Sequence, residues 1–216
     1  HPAHHVEVQV RGELIGRATF GDQPVGWPVA GSLETVGAMQ RGDFIDFIGA
    51  HYSTQNAVFA VAGNITHEAV LESANRHFTA LPTVAVEQVP PAQAGLPAER
   101  VIVEERELEQ TNLALSMQSF GRRDPQRHAL DVLNAVLGRG MSSRLFKEVR
   151  ERRGLAYSVG SSSSRLTDIG TLTVSAGVTR DHQEEALRVI VEELDRLVTE
   201  PVPADELQRS IDYVAG

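Results

Sequence analysis

Between Thr83 and Glu99 the chain carries Pro90, Pro91, Gly95 and Pro97 among Ala, Val and Gln. Such a stretch keeps no helical period, and proline cannot donate the N–H that a central strand needs. It reads as a linker, residues 84–99, between two packing units at 1–83 and 100–216. A length of 216 residues suits two small domains or one large one. Hydrophobic residues make up 41%, enough for a real core, and no apolar run approaches the roughly 18–20 residues of a membrane helix. With 20 Lys+Arg against 29 Asp+Glu, the charge of −9 disfavours nucleic acid as a partner. Zero cysteines exclude disulfides, a thiol nucleophile and Cys-ligated zinc or iron–sulfur sites. Any metal must therefore use His and carboxylates.

Within the first unit, Val6, Val10, Leu14 and Ala18 recur every four positions, which predicts a helix ending near Gly21. Ser32 is placed to cap a short helix, Asp43 to His51 forms another, Ala57 to Ala62 reads as a buried strand, and Thr66 caps a helix to Phe78. In the second unit, Arg100 to Leu108 and Asn112 to Phe120 read as strands, and Asp124-Pro125 opens a helix with Leu130, Leu133, Val136 and Leu137 inward. Ser142 or Ser143 caps a helix to Arg152, Tyr157 to Ser163 and Gly170 to Gly177 are extended, and Asp181 with Glu184 resembles a capping box on the strongest helix, which Pro201 stops. This order predicts an α+β fold with an antiparallel or mixed sheet and helices packed on one face. The chain starts at His1 with no basic-then-apolar leader, and the helix after Pro203 is barely developed at Gly216. It therefore reads as a segment of a longer protein.

Several motifs carry little chemistry. His1, His4 and His5 have a spacing that could grip zinc on a helix, but no Glu stands between them as general base, and a polar terminus accounts for them. Arg41-Gly42-Asp43 falls at a helix start, Asn64-Ile65-Thr66 serves a turn and a cap, and Ser161 to Ser164 lack the glycine elbow of a serine nucleophile.

The informative stretch runs from Gly138 to Val159: a glycine-bounded turn, a short helix, Gly154, then a strand. It places Arg150 in the last helical turn and Tyr157 at the strand start. A forked cation and a phenol can then converge on one point. Spacing alone leaves a plainer alternative, an Arg answering the helix dipole beside a half-buried core Tyr.

The same stretch, with Ser143-Arg144-Leu145-Phe146 and Gly154-Leu155-Ala156-Tyr157, closely resembles a segment of the pitrilysin and insulinase family of zinc peptidases, in its processing-protease branch. Phe20-Gly21-Asp22-Gln23-Pro24, His51-Tyr52-Ser53, Gly63-Asn64, Leu81-Pro82 and the Pro-Ala-Asp-Glu-Leu run from Pro203 follow the family's order, so the resemblance covers nearly the whole chain. Arg41 and Thr54 depart from it locally.

The resemblance implies two facing α+β domains around a peptide. Residues 1–83 would be the second half of the zinc-bearing domain, and 100–216 the inactive, substrate-contacting domain, truncated at its end. Zinc would belong to the parent protein, with its ligands upstream and none in this segment. Arg150 would engage the peptide backbone and Tyr157 the scissile carbonyl, as transition-state support. The implied partners are a peptide substrate and the zinc-bearing half or a partner subunit, with a homodimer possible through an exposed apolar edge. A non-catalytic partner or scaffold subunit of the same family stays open beside the metalloendopeptidase reading.

Overall fold

The computed structural model describes residues 12–85 and 89–216. Two compact units form: the chain up to Val29 together with Pro91–Gly216, and the intervening Ala30–Pro90.

The larger unit is built on a three-stranded antiparallel sheet of β1 (Thr111–Phe120), β2 (Ala156–Arg165) and β3 (Ile169–Val178), in the order β1-β3-β2. Alternation explains the central strand: Leu172, Val174, Ala176 and Val178 are buried on one face, while Thr171, Thr173 and Ser175 between them are only half-buried. Against the buried face pack α5 (Arg127–Gly138) and α6 (Gln183–Thr199), contributing Leu130, Leu137, Ala186, Val189 and Ile190 to one core. Helix α7 (Ala204–Ala215) lies against α5. Gly138 permits the close approach of α5 to β2, because a Cβ there would sit 2.4 Å from the Ser161 nitrogen. The Ser161 hydroxyl donates to Asn134 Oδ1 at 2.6 Å, so this polar pair is satisfied inside the packing.

Residues 12–20 are helical (α1), and Gln118 on β1 donates to the Thr19 carbonyl near the end of that helix at 2.9 Å. His1, His4 and His5 lie outside the described residues, as does the first part of the helix expected from Val6.

Three sequence expectations shift in this unit. Helix α5 starts at Arg127 and not at Asp124, because the Asp124 carboxylate accepts from the Gln126 N–H at 2.8 Å and closes a turn first. Helix α6 follows a short 3-10 turn, Arg180–His182, without a side-chain cap, so the Asp181–Glu184 box does not form. Residues 100–108 are not strand: they pair with no neighbour among the described residues, and their valines Val101 and Val103 are exposed.

The smaller unit holds α2 (Leu33–Ala38), α3 (Arg41–His51) and α4 (His67–His77). Ser32 accepts from the Thr35 N–H at 3.1 Å and Thr66 from the Ala69 N–H at 3.3 Å, both caps as expected. Helix α3 begins two residues earlier than Asp43, since the Asp43 carboxylate reaches back to the Gln40 N–H at 2.7 Å. The apolar run Ala57 to Ala62 is exposed and forms no strand among the described residues, because no second strand is present beside it in this unit. Ser53 is buried and bonds both the N–H and the carbonyl of Val84, at 3.1 and 2.7 Å.

Beyond Pro90, side chains of the larger unit hold the backbone: Ala92 N–H donates to Asp168, Gln93 N–H to Gln23, and Gly95 N–H to Gln118. Limited proteolysis is expected to cut first in the linker, residues 84–99. Early fragments from cleavage inside α6, with the linker intact, would contradict this layout. No helix of the described residues is long and apolar enough to cross a membrane.

Candidate functional site

The stretch from Gly138 builds the site step by step. Gly140 adopts a left-handed φ of 82°, and the Ser143 hydroxyl donates to its carbonyl at 2.7 Å, closing the turn that the sequence reads as a helix cap. Arg144 then points inward. It is only 8% exposed and grips Glu206 of α7 with two charge-assisted hydrogen bonds, Nε at 3.0 Å and Nη2 at 2.8 Å. The hydrogen bond to Glu206 raises its pKa above the usual arginine value, so the guanidinium is charged at every working pH.

Phe146–Arg152 is wound as a π-helix, wider than the ordinary helix expected there. Such turns are rare and recur at functional sites. Leu145 and Val149 are fully buried and pin the inner face, leaving Arg150 outside. Gly154, at φ 62°, reverses the chain, and the Leu155 N–H donates to the Val149 carbonyl at 2.9 Å. Leu155 and Ala156 return to the core and start β2.

At that point the pairing slips. Ala156 lies opposite Val178 and Ser158 opposite Gly177, which leaves Tyr157 as the extra residue of a β-bulge. A bulge re-aims the side chain it carries, and Tyr157 is 76% exposed. Gly177 fits its place because a Cβ there would lie 2.6 Å from Gln110 Oε1 and 3.0 Å from the Ser158 hydroxyl.

Arg150 and Tyr157, the two site residues expected from sequence, are brought together: the Arg150 Cζ stands 5.9 Å from the Tyr157 ring centroid. It also stands 5.1 Å from the Phe146 ring. Both residues line a hollow of about 430 Å³ that Gln110, Thr179 and His182 complete at its rim. Chemically this edge offers a fixed-charge fork of N–H donors, a phenolic O–H and an apolar floor of Leu155 and Val178. That combination suits peptide carbonyls and a charge developing on oxygen. The Tyr157 side chain is mostly in solvent and not in the core.

Phe146, the bulge and the Arg144–Glu206 pair are absent from the sequence-level site. The four-residue step from Phe146 to Arg150 on one short helix could have pointed to the first. No group of three His, Cys, Asp or Glu side chains among the described residues is arranged to hold a metal ion. The described side chains thus do not fit a zinc centre.

A three-stranded antiparallel sheet with helices on its buried face, entered through a glycine-bounded turn and a π-helical turn, defines an α+β domain. The chain belongs to the M16 peptidase family: the family profile described as peptidase M16 inactive domain matches residues 38–214. An uncharacterized zinc protease of Streptomyces coelicolor is 37% identical over 211 residues, 94% of this chain and 46% of that protein. Another, from Mycobacterium leprae, is 38% identical over 188 residues, 85% of this chain and 42% of that protein. The chain thus spans about half the length of the curated relatives it matches. The crystal structure of a peptidase M16 inactive domain from Pseudomonas fluorescens superposes with a TM-score of 0.75 at 22% identity, over 96% of this chain and 50% of that one. A protease from Helicobacter pylori gives 0.73 at 23% identity, over 94% of this chain and 50% of that one. These two likenesses concern the fold.

Proposed function

We propose that this chain is the non-zinc half of the substrate chamber of a zinc-dependent metalloendopeptidase that cleaves peptides or unfolded, presequence-like segments. The observation that carries the reading is the convergence of Arg150 and Tyr157 on one hollow through two backbone irregularities, the π-helical turn and the bulge. Arg150 holds the peptide backbone through its N–H fork, and the Tyr157 phenol donates to the oxygen of the scissile carbonyl as negative charge develops there. The relatives' name of zinc protease supports zinc in the parent protein. Its ligands lie outside the described residues, in a zinc-bearing half upstream or in a partner subunit, and the part played by this segment involves no metal contact. On this reading residues 1–83 close the zinc-bearing domain, 84–99 link, and 100–216 form the inactive domain.

Two measurements test the reading together. In the full-length protein, removal of zinc by chelation should abolish cleavage of an unstructured peptide, and added zinc should restore it. The isolated chain, stripped of metal, exposed to zinc and dialysed, should retain no stoichiometric zinc by plasma mass spectrometry and show no turnover, because a hydrolytic site needs about three protein ligands in fixed geometry. A full-length protein with no zinc-dependent cleavage would favour the scaffold-subunit reading. One tightly held zinc per isolated chain, together with turnover, would overturn the division of roles.

A further inference from the structure

We infer that Phe146 is a positioning residue for Arg150, holding the guanidinium by its face so that its N–H edge stays free for the peptide. The inference rests on the reading of Arg150 as a substrate contact and adds a residue to it.

Arg150 is a long, exposed side chain with many rotamers, and a contact with substrate would have to order it at the moment of binding. Proteins usually fix such a side chain with a carboxylate, which takes the same N–H donors that a substrate would use. Here Glu148, two residues away, pairs with Arg152 at 2.5 Å. The close neighbours of the Arg150 guanidinium are instead two rings, Phe146 at 5.1 Å and Tyr157 at 5.9 Å. Both distances lie within the range over which a cation is drawn to an aromatic face. A ring takes up the flat face of the guanidinium and leaves its five in-plane donors unspent.

The backbone makes Phe146 the firmer of the two supports. It follows the fully buried Leu145, precedes the fully buried Val149 by three residues, and is itself half-buried. Tyr157 projects from a bulge at 76% exposure. Of the two rings beside the guanidinium, Phe146 is therefore the less exposed and the nearer.

The test is a double-mutant cycle on kcat/KM in the full-length peptidase, with Phe146→Leu, Phe146→Tyr, Arg150→Ala and the pair Phe146→Leu/Arg150→Ala. Leu preserves apolar bulk without the ring, and Tyr preserves the ring. Phe146→Leu should lower kcat/KM about 3- to 10-fold, Phe146→Tyr should stay within about twofold of wild type, and the pair should be no worse than Arg150→Ala alone. Wild-type kcat/KM in Phe146→Leu beside an impaired Arg150→Ala would overturn the positioning role and leave the Arg150 reading standing. Losses that multiply in the pair would also overturn it, since Phe146 would then act on packing independently of Arg150. If Arg150→Ala itself were near wild type, the functional reading and this inference would both fall.

Discussion

On the proposed role as oxyanion donor, Tyr157→Phe in the full-length protein is expected to lower turnover by about 10²–10³, the usual loss when such a donor is deleted, while the melting temperature barely moves. The substitution removes only the hydroxyl. The ring, which stands 5.9 Å from the Arg150 Cζ, is retained, so the support of the cation persists. The side chain is 76% exposed on a bulge, outside the buried cluster. Replacements at such positions usually change stability by about a kcal/mol or less. Arg150→Ala should behave similarly on stability, since its guanidinium contacts rings at the surface, and, on the proposed role as a peptide-backbone contact, should raise KM as well as lower kcat. Where the zinc-bearing half is a separate subunit, the measurement is made on the reconstituted pair. Near-normal turnover in both variants, or activity that declines only in step with unfolding, would return both residues to the role of surface structure.

The central strand was legible because it obeys simple alternation: Leu172, Val174 and Ala176 mark the buried face of β3 in the sequence as in the fold. Ala57 to Ala62, read as strand from its continuous apolar run, and residues 100–108, read from alternation, are misread. Apolar content marks a segment able to be a strand, whereas a strand exists only with a hydrogen-bonding neighbour, and these two have none among the described residues. Helix starts at Ser32 and Thr66 were legible because a single side chain settles each. That of α5 was misplaced because the Asp124 oxygen closes a turn with Gln126 before the helix begins. Arg150 and Tyr157 were singled out through a family pattern and not through spacing. What brings them together depends on the register between β2 and β3 and on the winding after Leu145. Both follow from tertiary packing around Val149 and Gly177, which no local window contains.

Arg144→Met is expected to destabilise the larger unit by about 3 kcal/mol, with the midpoint of thermal unfolding falling by roughly 6–12 °C for a unit of this size. The Arg144 and Glu206 side chains are 9% and 19% exposed, so their attraction is weakly screened, and removing one leaves the other's charge in a poor solvent. Arg144→Lys should restore little of the loss, because an ammonium cannot reproduce the paired bonds from Nε and Nη2. Arg144→Met with Glu206→Leu should recover most of it, since an apolar pair carries no stranded charge. The effect reaches beyond α7. Nearby, Glu193 of α6 is buried and is held by Arg196 at 2.9 Å, whose pKa the bond to Glu193 raises. Arg144 and Glu193 line one polar recess between the π-helical segment and the last two helices. Loss of Arg144 removes a clamp at the base of the segment that carries Phe146 and Arg150. Calorimetry and peptide cleavage on the same samples separate the two consequences. A melting point for Arg144→Met within experimental error of wild type would show that α7 is held by its apolar face alone.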